Sequence, residues 1–258
     1  MPSITVGIAG ITGKFGRLLA LSLREASPQV KLRGLARDPS KVDNSSLPNV
    51  ELFQGDAFDV DKIHSFVRGT DVVVCCYLGD TRLMIEGQKV LIDIAEEEGV
   101  PRYVASDWSL DWTKLEMGEL FAKEPCQRIH EYLTTKKSIR GVHVLIGGFT
   151  DVIFAPFFKI WDQEKLTFNY WGTGDEVWEC TSYLNSAQYT AAVCLDPEAM
   201  GVLRFVGDVI SIKDMARTFE RVYGKNPPLH LNGSLEELRT TTVRDRQKYG
   251  EEFYKYVF

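Results

Sequence analysis

Six short apolar runs, with helical spacing in every gap but that between the second and third, constrain the fold of this chain more than any other feature. The runs are SITVGIA (3–9), VKLRGLAR (30–37), NVELFQGD (49–56), DVVVCCYL (71–78), RYVAS (102–106) and VHVLIGG (142–148). They are short, rich in β-branched residues and little broken by charge, which reads as buried strands. Helical periodicity fills the gaps at 14–27, 59–68, 83–98 and 115–138. Strands that alternate with helices need right-handed crossovers, and therefore a parallel sheet covered on both faces. With 258 residues, 44% of them hydrophobic, the chain can bury one large core with a small one attached.

Behind the first run stands GIAGITGKFG (7–16), with glycines at 7, 10, 13 and 16. Gly7 is expected to end the strand and begin a tight turn. Gly10 and Gly13 would let the backbone approach a pyrophosphate, and Gly16 would let the following helix pack close to the sheet. Thr12, Lys14 and Phe15 belong to the same turn and helix start. A glycine motif placed between a strand and a helix, at the head of an alternating pattern, marks a Rossmann-type doubly wound α/β fold that binds a dinucleotide. The second run ends in LARDPSK, so Arg37 stands where an NAD-preferring sheet carries an acid, and Lys41 follows. Cations there suit a 2′-phosphate, which favours NADPH/NADP+, although Asp38 follows Arg37 at once. Asp56 ends the third run as a neighbour for the adenine. Cys76 and Tyr77, at the end of the fourth, face the nicotinamide together with Phe149 after the sixth.

Short-chain dehydrogenases often pair a tyrosine with a lysine one helical turn later. The literal match here, Tyr132–Lys136, falls too far beyond the strand-ending Ser106 and is expected at the far end of its helix. The expected spacing from Ser106 lands on Glu119 and Lys123, in GELFAK. Lys123 is therefore the candidate catalytic residue, holding the cofactor ribose or moving a proton. His64, His130, His143 and His230 are scattered, and His130 in a helix and His143 in a strand show no orienting partner in the sequence and read as structural or exposed.

After about residue 150 the rhythm changes. Residues 151–258 read as a smaller α+β substrate lobe packed on the 1–150 nucleotide-binding part, with two short strands around 172–175, helices near 185–194, 211–223 and 234–248, and a strand at 201–207. Its aromatics Phe149, Phe154, Phe157, Phe158, Trp161 and Trp178 are candidates for an apolar substrate wall, though most fit plain core equally well. Asp107 and Trp108, after the fifth run, join Phe149, Phe154 and Trp178 as candidate substrate contacts.

The net charge of −6 and the absence of a Lys/Arg cluster argue against nucleic acid as a partner. No apolar run is long enough to span a membrane, and MPSITVGIAG lacks the basic start of a signal peptide. Five cysteines without CxxC spacing argue against zinc and disulfides, and point to a reduced, cytoplasmic protein.

GIAGITGKFG, LARDPSK, PRYVASDWSLD, LIGGFTDVIF and YWGTGDEVWECTSYLNSAQYTAAVCLDP together resemble the NmrA-like and isoflavone-reductase-like group of atypical short-chain dehydrogenases, fungal members most closely. The resemblance implies an NADPH-dependent reductase of small aromatic or alkaloid-like secondary metabolites, with Lys123 serving catalysis in place of the tyrosine. It equally admits a non-enzymatic NADP-binding redox sensor, or a cyclase or isomerase without net redox change, acting as monomer or homodimer. Two departures stand out. Ala105-Ser106-Asp107-Trp108-Ser109 replaces the group's Pro-Ser-Glu-Phe-Gly. The chain ends at EEFYKYVF, shorter than many relatives, which implies a pocket left open or completed by a partner subunit.

Overall fold

The computed structural model describes residues 4–43 and 45–250, apart from the side chain of Phe157; the terminal EEFYKYVF lies outside the described residues, save for what its sequence shows. The chain divides into two compact units. The first comprises residues up to Ile146 together with Tyr183–Phe205, and the second comprises Gly147–Ser182 and the chain from Val206 onward.

The first unit carries a seven-stranded sheet. Its strands are β1 (Thr5–Ala9), β2 (Lys31–Ala36), β3 (Val50–Gln54), β4 (Val72–Cys75), β5 (Arg102–Val104), β6 (Arg140–Leu145) and β11 (Gly201–Arg204), in the order β11-β6-β5-β4-β1-β2-β3. Every pairing is parallel. The order reverses between β1 and β4, which is where an open parallel sheet forms a crevice at its carboxyl edge. Helices α1 (Lys14–Ala26), α2 (Val60–Val67), α3 (Gln88–Glu97), α4 (Glu124–Thr134) and α5 (Tyr183–Leu195) complete the unit, with one π turn (Leu83–Gly87) leading into α3. The core under α2, α3 and α4 is aliphatic and aromatic, with Phe66, Leu91, Tyr103 and Ile129 fully buried.

Two sequence expectations change here. A single cut at 150 does not describe the chain, because α5 and β11 return to the first unit. Val202 pairs with His143 along β6, and the small buried residues Ala187, Thr190 and Ala191 let α5 pack on α1. The helix expected over 115–138 forms only from Glu124 to Thr134. Gly118 adopts φ +88°, which breaks any helix, and Pro125 is tolerated because it sits in the first turn of α4.

The second unit holds two three-stranded sheets, built from β7 (Gly148–Phe149), β8 (Trp161–Asp162), β9 (Thr167–Trp171), β10 (Val177–Thr181), β12 (Asp208–Ser211) and β13 (Leu229–Gly233). Helices α6 (Ile212–Tyr223) and α7 (Leu235–Tyr249) both start with reciprocal Ser–acid capping boxes, Ser211/Asp214 and Ser234/Glu237. Its core joins Ile153, Ile160, Phe168, Ile212 and Met215. Among the described residues no helix is long and apolar enough to cross a membrane, and no group of three or more His, Cys, Asp or Glu could hold a metal ion.

Candidate nucleotide-binding site

β1 runs on to Ala9, so Gly7 lies inside the strand rather than at its end, and its bare Cα faces the Phe66 ring. The turn itself begins at Gly10. Its φ is +84°, and a Cβ there would stand 2.8 Å from the Cys76 carbonyl oxygen. Gly10 N–H donates to the Leu35 carbonyl (2.8 Å), Gly13 N–H donates back to the Gly10 carbonyl (3.0 Å), and Thr12 is half-buried between them. A Cβ on Gly16 would stand 2.6 Å from the Gly10 oxygen, so this glycine sets how closely α1 approaches the turn. Gly13 is exposed and caps α1 without a side chain, and no acid occupies the first turn. The helix end therefore offers unpaired N–H groups and an uncompensated positive dipole, an arrangement that fits a pyrophosphate. Lys14 is exposed, its ammonium 3.9 Å from the centre of the Tyr183 ring. Phe15 lies against Trp108, ring centres 4.1 Å apart.

The other candidates of the first unit collect along the same carboxyl edge. Arg37 is exposed directly after β2, and its guanidinium has no partner among the described residues. Asp38 is turned into its own capping turn, accepting from the Ser40 hydroxyl (2.5 Å) and N–H (3.2 Å) with Lys41 at 3.7 Å. The Ser40 hydroxyl bond holds that carboxyl below its ordinary range. Asp56, exposed after β3, accepts from the Phe58 N–H (2.8 Å). Cys76 and Tyr77 follow β4. Burial pushes the Tyr77 phenol well up, with the charges of Cys75 and Asp56 adding to it, and its hydroxyl is buried without a partner among the described residues.

After β5 the chain is pinned from several sides. Ser106 donates its hydroxyl to the Tyr77 carbonyl (2.6 Å) and its N–H to Gln88 Oε1 (3.1 Å). Gln88, which the sequence did not single out, also accepts from the Tyr103 hydroxyl (3.1 Å) and is fully buried. Two expected substrate contacts turn inward. The Asp107 side chain is 1% exposed and accepts from His143 Nδ1 at 2.5 Å, while His130 Nδ1 lies 3.1 Å from His143 Nε2. Trp108 is buried and donates its indole N–H to Thr190 Oγ1 (2.8 Å). His143 and His130 thus do have orienting partners, contrary to the sequence reading. Those partners come from other strands and helices, where local spacing carries no signal.

Lys123 is half-buried at the start of α4, closing a 3-10 turn over Phe121–Lys123. Its ammonium has no hydrogen-bond or ion-pair partner among the described residues. One turn later Cys126 packs with Trp112 and Leu145, the last residue of β6, which sets the start of α4 at the carboxyl edge. Glu119 is exposed in a separate turn, so it shares no helical face with Lys123. Tyr132 and Lys136 sit at the opposite end of α4, where both bind Asp93 of α3. They staple two helices far from the glycine turn, as the sequence spacing implied.

Phe149, Phe154 and Trp178 belong to the second unit. Trp178 packs edge-on to Phe158 (6.2 Å) against the core, and Phe149 is half-buried in β7. Phe154 is exposed and lines an open groove of about 990 Å³ with Lys159, Trp161 and His230. Of the aromatic stripe, Phe158, Trp161 and Trp178 thus pack against the core of their unit, while the Phe157 side chain lies outside the described residues.

A family model described as NAD(P)H-binding matches residues 10–138, half of the 258-residue chain. No curated protein matches by sequence. Among solved structures the fold is similar to an isoflavone reductase, at 18% identity over 99% of this chain and 85% of that one, with a TM-score of 0.78. It is similar to the leucoanthocyanidin reductase–NADPH complex from Vitis vinifera at 15% identity, covering 97% of this chain and 82% of that one, with a TM-score of 0.78. A nucleoside-diphosphate-sugar epimerase from Staphylococcus aureus matches at 15% identity over 96% and 85% of the two chains, with a TM-score of 0.70. With the glycine turn from Gly10 to Gly16, the open start of α1 and strands β2 to β5 inside the matched span, the chain belongs to the NAD(P)H-binding family.

Proposed function

We propose that the protein is an NADPH-dependent reductase of a small aromatic or alkaloid-like secondary metabolite, reducing an activated C=C, C=N or C=O bond. The carrying observation is the unpartnered, half-buried Lys123 ammonium at the carboxyl edge that also bears the glycine turn. NADPH supplies the hydride when bound. Gly10, Gly13 and the first turn of α1 hold its pyrophosphate, Arg37 and Lys41 meet the 2′-phosphate, Asp56 flanks the adenine, and Cys76 and Tyr77 face the nicotinamide. Lys123 completes the reaction by holding the ribose and delivering the proton that the reduced carbon or heteroatom takes up. The reductases among the similar structures support this reading, as does Asp38, whose carboxylate is occupied by Ser40 rather than poised for a ribose hydroxyl.

Calorimetry with NADPH, NADP+, NADH and NAD+ tests it without a substrate. Both phosphorylated forms are expected to bind comparably, and the other pair much more weakly. Strong preference for oxidised forms with little NADPH binding would instead identify a redox sensor. Arg37→Ala is expected to weaken NADPH by roughly tenfold, about 1.4 kcal/mol, and to leave NADH unchanged; equal losses for both would remove Arg37 from 2′-phosphate recognition. Lys123→Ala is expected to lower turnover by roughly tenfold or more even at saturating NADPH, with some loss of NADPH affinity from the missing ribose contact. Turnover at the wild-type level would remove Lys123 from the chemistry.

A further inference from the structure

We propose that Asp107, His143 and His130 form a buried clamp that holds the Ser106–Trp108 turn at the carboxyl edge in its working shape, and that acid releases it. As regulation of the nucleotide site this rests on the reductase reading; the clamp itself does not.

The turn is strained. Asp107 N–H donates to the Ala105 carbonyl two residues back (2.9 Å), and Trp108 adopts φ +32°, a rare conformation for a bulky residue. Such backbone persists only where its surroundings over-determine it. Ser106 is held by Tyr77 and Gln88, and Trp108 by Thr190. Asp107, between them, is held by His143 alone among the imidazoles, with both side chains almost wholly buried. Leaving that carboxylate unpaired would be costly, so the histidine controls whether the turn keeps its shape.

Only one hydrogen fits between His143 Nε2 and His130 Nδ1 at 3.1 Å. When both rings are fully protonated, N–H faces N–H and the pair must part. His130 is the open end of the network, half-buried on α4. Burial holds its pKa below the usual histidine value and the charge of His143 lowers it further, against the pull of Asp107 and Glu131. The other groups facing the network are few. Cys126 of α4 lies against Asp107 and senses Lys123, and Cys75 of β4 and Tyr103 of β5 sense the Asp107 charge. β11 places Val202 beside His143, and Trp112 lays its ring against both histidines, at 5.3 and 5.4 Å. A histidine whose folded pKa is depressed contributes its stability fully above its unfolded pKa, and that stability is lost as pH falls from there through the lower folded pKa. The clamp is therefore closed at neutral pH and opens in acid.

The test uses the full chain with labelled histidine rings and tryptophan indoles, titrated by NMR from about pH 8 to about pH 5. Trp108→Phe assigns the indole signal. In the wild type the Trp108 indole N–H is expected to shift in step with His130. In His130→Gln, where a neutral amide still meets His143, it is expected to stay fixed; His130→Asn serves if that variant fails to fold. NADP+ affinity is expected to fall on acidification about fivefold more in the wild type than in the variant, the titration of the ligand phosphate being common to both. An indole signal that stays fixed while His130 titrates, or equal affinity losses in both proteins, overturns the clamp. Absence of NADP+ binding at every pH would sink the reductase reading, and the indole signal would then decide the clamp alone.

Discussion

Gly16→Ala is expected to abolish measurable NADPH binding and to destabilise the protein by about 2–3 kcal/mol, the range of an overpacked core position. The added Cβ would stand 2.6 Å from the Gly10 carbonyl oxygen and 2.9 Å from the Ile11 Cα. Both are backbone atoms, so no side-chain rotation relieves the collision. Either α1 moves off the sheet or the turn opens, and each displaces the N–H groups that face the phosphates. The melting temperature is expected to drop by roughly 5–10 °C. Gly13→Val separates the two effects. Gly13 has φ −69°, it is exposed, and its Cβ would come no closer than 3.2 Å to the Gly10 oxygen. That variant is expected to lose only about 1 kcal/mol of stability, valine being a poorer N-cap than glycine, and to lose NADPH affinity by roughly 100-fold, because its side chain occupies the phosphate space. Calorimetry and thermal melts on both variants decide the matter. A Gly16→Ala protein that melts and binds like the wild type would show that the turn does not set the site.

The contrast between the two glycines also marks how far the sequence could be read. The turn was legible because only glycine satisfies a positive φ and a near-contact of two backbones, and those demands leave a local imprint. Arg37 and Ser106 were legible for the related reason that strand ends fall at predictable places in a doubly wound sheet. The reading failed where partners are distant in sequence. Asp107 and Trp108 looked like substrate contacts because they follow a strand end. The side chains that draw them inward, His143 and Thr190, lie 36 and 82 residues away, on β6 and α5. The overlong helix at 115–138 was a failure of a different kind, since Gly118 and Pro125 were both visible and both break an interior helical turn.

The return of α5 and β11 to the first unit was the least legible feature, and Arg102 is what secures it. The Arg102 side chain is buried and donates to the carbonyls of Val193 (3.1 Å), Cys194 (2.7 Å) and Asp196 (2.6 Å). Val193 and Cys194 lie in the last turn of α5, where a helix end leaves carbonyls without internal partners, and Asp196 just beyond also accepts from the Ala199 N–H (3.2 Å). One planar guanidinium from β5 satisfies all three and sets a positive charge at the negative end of the helix dipole. Arg102→Ala is expected to cost about 3–5 kcal/mol, because charged hydrogen bonds are lost and their acceptors stay buried. Arg102→Lys is expected to recover only part of that, since an ammonium is a compact charge that does not reproduce the planar fork. Urea unfolding gives the stabilities, and hydrogen exchange locates the loss. Faster exchange should appear first in the amides of α5 and β11, while those of β1 and β2 keep their protection. A stability within about 0.5 kcal/mol of the wild type would mean that water replaces the guanidinium at little cost, and that the small-residue packing of α5 on α1 is what retains the returning segment.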